Sequence, residues 1–482
     1  MRRQTMFSNI ESSISFTEGP QLHVDTHRVN QSRYTLLKSG VAPKSVLIDD
    51  ATFVITTDDH DRVRVLTHQS ILIRDGVIED VFAAGAKHID LNTIDVLYHG
   101  GIRGGLVVTP GFINTHSHPP MYLLRSLMLL EEDASMQEAL TAMAQLEGAM
   151  DDSDYYVAAV GDLTEQQKGG ITTTVSHYGV FDPIDAAAEK CGQRVINALS
   201  CVSNSHPQNS PQMVAQFLRR KNTYSVPAMA LHYVYKASAD QLRAIQRIQR
   251  RTGAILTLHL AENPAAVERC YEVFGMSEVH TLHRFGLLSE KLIVSHALHC
   301  TEEEIRLLIR YRVGISHLPT SNVIHGNGTF PYALWAKHGG WNRISLGTDS
   351  VVSKNRLDLL TEALQTRMTH RYDKLVSFPH LFQMVTSNAA RVISRSHDLG
   401  RIAPGYQADI AFWKLKDRGF VPYDSDHPST LLGNMITHGG RNVRDLMVNG
   451  KFVISSRMHN LLSESKLISE LQKHHEQLRK RL

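Results

Sequence analysis

The chain has 482 residues, 42% hydrophobic and 21% charged, with 51 Lys and Arg against 48 Asp and Glu for a formal net charge of +3. That is ordinary globular composition, long enough for one large domain and a smaller one, and too evenly charged to mark a nucleic-acid or membrane-surface partner. Four cysteines without short paired spacing argue against a disulfide framework or a cysteine-based zinc site, and no apolar run reaches signal-peptide or membrane-spanning length, so a small-molecule partner and a reducing, cytoplasmic location are expected.

Residues 1–44 are polar, rich in Ser and Gln, and read as an N-terminal extension. From Ser45 the texture changes. The stretches Ser45–Thr57 and Gln69–Phe82 alternate short β-branched runs with Asp-Asp or Asp-Gly turns, the pattern of a small antiparallel sheet over residues 45–105. From residue 106 to 398 strand, loop and helix patterns repeat. The strands expected are Leu106–Ile113, Gly170–Ser176, Arg194–Ser200, Pro227–His232, Ala254–His259, Lys291–His296, Arg312–His317 and Arg343–Asp349. Helical stretches lie between them, such as Ala239–Arg250, Thr301–Ile309 with a capping-box start, and Leu357–His370. Eight such units suit an α/β fold of the (β/α)8 barrel type. An open doubly wound sheet is the alternative, but no Gly-x-Gly-x-x-Gly follows the first strand. Beyond the barrel, Gly405–Trp413 and the hairpin Asp445–Ile454 across Asn449-Gly450 are strands of residues 399–455, expected to join residues 45–105 in one small β-sandwich domain. Residues 456–482 read as a terminal helix.

Catalytic residues of such barrels sit at the carboxyl ends of the strands. His116 and His118, one residue apart on extended backbone, project to the same side and can share a divalent metal, although among 27 histidines such a pair decides little alone. Other strand ends carry His232, His259 with Glu262, His296, His317 and Asp349. Taken singly, Asp349 also fits a helix N-cap and Glu262 a first-turn acid. Core packing does not explain so many imidazoles on one face.

Pro110–His118 with Met121–Arg125, Gly170–Thr173, His259–Glu262, Ser295-His296 before Thr301–Glu304, Pro319–Asn322 and Gly347–Ser350 resemble the amidohydrolase superfamily. The likeness is greatest to its aminohydrolases and chlorohydrolases acting on s-triazines, adenine nucleosides and related heterocycles. Gly405–Asp409 and Val448–Lys451 match that family's returning β-domain, so the resemblance covers roughly residues 45 to 455. It implies that His116, His118, His259 and Asp349 hold one divalent metal, Zn2+ or else Fe2+, which acidifies a bound water. It further implies that Asp349 takes a proton from that water, that His296 orients it or polarises the reacting centre, and that Glu262 carries a proton to a ring nitrogen. His232, Tyr235 and Asn322 are expected to contact substrate. The resemblance also implies a homodimer or homotetramer.

Two departures stand out. His232 occupies the place where two-metal members carry a modified lysine, with Lys236 four residues on, and this implies one metal. Ser350–Asn355 replaces the Gly-x-x-Ser-Asn-Asn of many relatives, which leaves the ring system open. A hydrolytic deaminase of a purine, pterin or triazine is the first expectation. A cyclic amide hydrolase or chlorohydrolase, and a silent scaffold, are the alternatives.

Overall fold

The protein's structure, a computed structural model, describes residues 42–100, 105–125, 136–354, 356–417, 419–438 and 443–481. Most of the N-terminal extension, and Asn355, lie outside the described residues.

Eight parallel strands pair in chain order: Phe112–Ser117, Ile171–Tyr178, Arg194–Ser200, Ser225–Leu231, Leu256–Leu260, Leu292–His296, Gly314–His317 and Ile344–Leu346. The barrel closes between its ends. A parallel bridge joins Ser117 to Asp349, and the N–H groups of Thr348 and Asp349 both lie 3.1 Å from the His116 carbonyl. Most strands are buried along nearly their whole length, as parallel strands jacketed by helices must be. Capping boxes start three of those helices, the first being Asp151 with Asp154 before Asp152–Lys168. Ser238 with Gln241 opens Ala239–Thr252, and Thr301 with Glu304 opens Glu302–Arg310.

The expected first strand, Leu106 to Ile113, divides at Gly111. Leu106–Pro110 pairs with Ser45–Thr57 and Ile410–Lys414 in the second sheet, and the chain enters the barrel only at Phe112. Successive amides serve different sheets: Gly111 N–H donates to the Asp409 carbonyl and Phe112 N–H to the Gly170 carbonyl, both at 2.8 Å. A Cβ on residue 111 would stand 2.2 Å from Thr172 Cγ2, an approach only glycine allows. The apolar run continues across the change of sheet, so hydrophobic pattern alone did not mark it.

Both chain ends build the second sheet, as expected. It holds nine strands in the order Met458–His459, Lys451–Ser455, Asp445–Val448, Ile410–Lys414, Leu106–Pro110, Ser45–Thr57, Val63–Arg74, Val77–Ala83, with Val96–His99 paired beside Ser45–Thr57. The sheet is mixed rather than antiparallel, because Ser45–Thr57 takes Val96–His99 and Leu106–Pro110 as parallel partners. Asp49-Asp50, expected as a turn, is instead a bulge within that one strand, with the register shifting between Ile48 and Ala51 and Asp50 at φ 53°.

The two Gly turns of the chain ends meet. Asp75-Gly76 and Asn449-Gly450 all have positive φ, as type I′ hairpin turns require, and a Cβ on Gly450 would lie 2.4 Å from Gly76 Cα. Asp409 joins sheet to barrel: its Oδ2 pairs with Arg194 at the start of the third barrel strand, and its Oδ1 accepts Asn449 N–H at 2.8 Å. Trp413 packs on Phe112 at 5.7 Å across the same boundary. The terminal helix, Glu464–Arg481, lies along Asp152–Lys168, where Asp154 receives His474 Nδ1 and Arg481 Nη1 at 2.7 Å each. No helix among the described residues is long and apolar enough to cross a membrane, and the four cysteines are buried and free.

Candidate metal centre and active site

The strand ends bring the expected residues to one mouth of the barrel. His116 lies within the first strand, His118 just past it, His259 in the fifth, His296 at the end of the sixth, and Asp349 three residues after the eighth. His116 Nε2 stands 3.1 Å from His118 Nε2 and 3.2 Å from His259 Nε2. Asp349 Oδ1 is 3.4 Å from His118 Nε2 and 3.8 Å from His116 Nε2.

The hydrogen bonds behind these rings set which nitrogen faces inward. His118 Nδ1 lies 2.7 Å from the His177 carbonyl and His259 Nδ1 3.0 Å from the His232 carbonyl. A carbonyl only accepts, so each Nδ1 carries a hydrogen and Nε2 is the nitrogen that each ring turns inward. Burial, with the neighbouring imidazoles, holds His116 and His259 well below the usual imidazole pKa and therefore neutral. Burial acts the other way on Asp349, but the His118 contact and the surrounding imidazoles outweigh it and hold the carboxyl well below its ordinary range. Burial likewise presses His118 down, and Asp349 outweighs it and leaves that pKa raised.

Lone pairs converging on one point beside a carboxylate repel unless a cation sits among them. Tetrahedral zinc with Zn–N of about 2.0–2.1 Å puts ligand nitrogens roughly 3.3 Å apart, close to the spacings His116 makes. The donor set thus fits a divalent transition metal. Two groups of donors lie mutually within 4.8 Å: His116, His118 and Asp349, and His116, His177 and His259. The four expected ligands are spread over both groups, and His177 is an addition.

Glu262 follows the fifth strand. Its Oε2 accepts the Tyr233 hydroxyl at 2.5 Å, its Oε1 accepts Asn327 Nδ2 at 3.1 Å, and His296 Nε2 stands 3.5 Å from Oε1. Strain marks the same places: Ala261, His296, Ala297 and Asp349 have φ of 44°, 68°, 52° and 57°. Non-glycine residues rarely adopt such angles, and packing must enforce them. Asp349 Oδ2 accepts Ser321 Oγ at 2.6 Å and Oδ1 accepts Ser350 N–H at 2.7 Å, so both carboxylate oxygens are fixed.

A cavity of about 850 Å3 opens beside this cluster, lined by His118, His177, His232, Tyr233 and Tyr235 at the imidazole end and by Glu147, Ser205, His206, Lys236 and Arg269 elsewhere. The expected substrate contacts His232 and Tyr235 line it. Asn322 does not: it stands behind His296, with Oδ1 2.7 Å from Nδ1. Burial raises the Glu147 pKa, opposed by hydrogen bonds from Tyr178 at 2.7 Å and Ser205 at 3.1 Å. Burial lowers that of Lys236, opposed by Glu147.

Sequence reasoning missed three residues here. His177 follows the expected strand end at Ser176 by one residue, so extending Gly170–Ser176 would have found it. Tyr233 stands between the named His232 and Tyr235 and donates its hydroxyl to Glu262. Glu147 sits on the helix Met136–Ala149, where no short motif marks it.

Comparison with known proteins places this geometry. The model of the amidohydrolase family matches residues 107–453. The 5-methylthioadenosine/S-adenosylhomocysteine deaminase of Pyrococcus furiosus is 29% identical over 420 residues, covering 85% of this chain and 96% of that protein. Its counterpart from Pyrococcus abyssi is 30% identical over 376 residues, 76% of this chain and 86% of that one. Among solved structures, an adenosine deaminase from Xanthomonas campestris with bound zinc superposes with TM-score 0.80 at 21% identity, covering 90% of this chain and 98% of that one. An atrazine chlorohydrolase from Arthrobacter aurescens complexed with zinc gives 0.79 at 22% identity, covering 89% and 100%. These structures share the fold, and the family match spans both the barrel and the returning sheet. The chain belongs to the amidohydrolase family.

Proposed function

We propose that this protein is a metal-dependent aminohydrolase that replaces the exocyclic amine of an N-heterocycle, a purine, pterin or triazine, with the oxygen of water and releases ammonia. The observation that carries the reading is the Glu262–His296 pair at 3.5 Å, set beside the converging imidazoles and held by Tyr233 and Asn327, which line the cavity. His116, His118, His259 and Asp349 are the residues that would hold the metal. Zinc is the first choice, since both solved structures cited above carry it, and iron(II) is the alternative. When bound, such an ion lowers the pKa of water so that hydroxide is available near neutral pH.

The chain's own groups supply the rest. Asp349, with both oxygens held by Ser321 and Ser350, accepts the proton of the attacking water. His296, held from behind by Asn322, orients that water. Glu262, fixed by Tyr233 and Asn327, delivers a proton to the ring nitrogen next to the attacked carbon, which makes that carbon electrophilic. Water adds, the C–N bond breaks, and the departing amine takes up a proton to leave as ammonia. His232 and Tyr235 line the space for the ring.

The cavity exceeds what a bare bicyclic ring fills, and the curated relatives are named for adenosine derivatives. Adenine nucleosides are therefore the first substrates to try. The test is ammonia release from a panel of aminated purines, nucleosides, pterins and triazines, with a cyclic amide and a chlorotriazine alongside. Ammonia from an aminated ring supports the reading. Turnover confined to the amide or the chlorotriazine overturns it in favour of an amide hydrolase or chlorohydrolase, and no turnover by a metal-loaded protein favours a silent scaffold. A cytoplasmic homodimer or homotetramer belongs to the same reading, checked by light scattering and cell fractionation.

A further inference from the structure

Glu362 stands in the first turn of the helix Leu359–Thr369, a place where the helix dipole favours an acid. An acid there needs no burial to gain from the dipole, yet Glu362 is 1% exposed. Its two oxygens hold two different elements. Oε1 receives the ammonium of Lys354, which follows the short turn Val351–Ser353 after Asp349, and Oε2 accepts Thr320 N–H at 3.2 Å from the helix Pro319–Ile324. The Lys354 side chain is itself 5% exposed, and among the described residues it has no other ion-pair partner. Buried Lys and Glu are rare unless paired, and such a pair adds little net stability because desolvation offsets the attraction. What it does provide is a fixed spacing between the elements that carry it.

We propose that the Lys354–Glu362 pair is a positioning device for the reaction. It sets the spacing between the loop that leaves Asp349 and the helix that carries Ser321 and Asn322, and so keeps Asp349 and His296 in register with each other. The inference rests on the reading that those two residues serve the deamination.

The path from the pair to the chemistry is short on both sides. Thr320, held by Glu362, directly precedes Ser321, whose hydroxyl donates to Asp349 Oδ2 at 2.6 Å, and Asn322, whose Oδ1 accepts from His296 Nδ1 at 2.7 Å. Asp349 and His296 both have positive φ, so their backbones need restraint from their surroundings. A second tie joins the same helix and loop, with His325 Nε2 3.1 Å from Ser353 Oγ. Lys354 lies in the stretch Ser350–Asn355 that departs from Gly-x-x-Ser-Asn-Asn, at the place of the first Asn of that motif. An amide there could not neutralise Glu362, whereas the ammonium does. Lys354 does not line the cavity, so this departure acts on the support of the site and not on the wall that meets the ring.

The test compares Lys354→Met, Lys354→Arg and the double variant Lys354→Met/Glu362→Gln, each zinc-loaded, in ammonia release, thermal midpoint and zinc content. Lys354→Met leaves the Glu362 charge buried alone, so its midpoint and its kcat should both fall. The double variant buries no charge and keeps an acceptor for Thr320 N–H, so its midpoint should return close to the native value. Its kcat should nevertheless stay about 10- to 100-fold down, with KM and zinc content nearly unchanged, because the brace is gone. Lys354→Arg, which keeps the charge, should retain more activity than the double variant. Recovery of kcat together with the midpoint in the double variant overturns the proposal and makes the pair a matter of stability alone. Should Lys354→Met not fold, the double variant decides. A folded, zinc-loaded native protein that releases ammonia from no aminated ring overturns the functional reading and this inference with it.

Discussion

Nδ1 of His296 stands 2.7 Å from Oδ1 of Asn322. The amide oxygen accepts, so Nδ1 carries the hydrogen and Nε2 turns its lone pair toward Glu262 Oε1, 3.5 Å away. One proton between Nε2 and Oε1 satisfies both groups, which makes the pair a site for holding and passing a proton. Asn322→Leu removes the acceptor and lets the ring turn. We expect kcat to fall roughly 10- to 100-fold with metal content unchanged, and Asn322→Asp, which keeps an acceptor, to retain more activity and shift the pH profile. A change in KM alone would make Asn322 a substrate contact instead.

Glu262→Gln keeps the shape and one acceptor oxygen, turns an amide N–H to the other partner, and cannot release a proton. Turnover is expected to drop by about 10²- to 10⁴-fold, with zinc content measured by plasma emission unchanged. Tyr233→Phe removes the bond to Oε2 and should lower kcat about tenfold while leaving KM nearly as it was. Unchanged activity in Glu262→Gln removes that residue from the chemistry.

Asp409 explains a motif that carries no chemistry. Gly405–Asp409 matters because the buried Asp409 holds the third barrel strand through Arg194, the far hairpin through Asn449, and through its carbonyl the residue at which the chain changes sheets. Asp409→Ala leaves Arg194 buried without its charge partner and is expected to cost about 3 kcal/mol, read as a shift in the denaturant midpoint. A loss below about 0.5 kcal/mol would show that the sheet and barrel do not depend on it.

Much of this architecture was legible because its signals are local. Asn449-Gly450 and Asp75-Gly76 have the turn chemistry that fixes their hairpins, Thr301 and Glu304 form a capping box, and five strands run into the polar residues of one barrel mouth. Less legible were features that depend on a distant partner. Gly111 changes sheets because Asp409, Gly170 and Thr172 stand where they do, and none is near it in sequence. Asp49-Asp50 has turn composition but lies inside a strand that continuous pairing carries across it. Asn322 sits within a motif of the family, yet its place behind His296 is set by the packing of the sixth and seventh strand ends. His177 and Tyr233 were hidden by drawing a strand one residue short and by choosing between neighbouring aromatic residues.

Asp162 gives stability a pH dependence at a distance from the chemistry. It is fully buried in the helix under the first strand, its Oδ1 accepts Gln166 Nε2 at 2.5 Å, and burial raises its pKa to about 8 against the lowering effect of that bond. A carboxyl raised above its unfolded value of about 3.9 adds stability below that pH and loses it as pH rises through the folded value. The window is therefore pH 4 to 8. Asp162→Asn carries no charge to bury and should remove this loss, making the variant more stable than the native protein by at least about 1 kcal/mol at pH 9. Parallel stability curves for the two proteins between pH 5 and 9 would contradict the assignment.

The most direct test of the central claim is ammonia release as metal-free protein is titrated with zinc, using the best aminated heterocycle from the panel. The expected rate rises linearly and reaches its plateau at one zinc per chain. Equal release by the metal-free protein, or a plateau reached only at two zincs per chain, would contradict a hydrolytic deaminase built on a single metal.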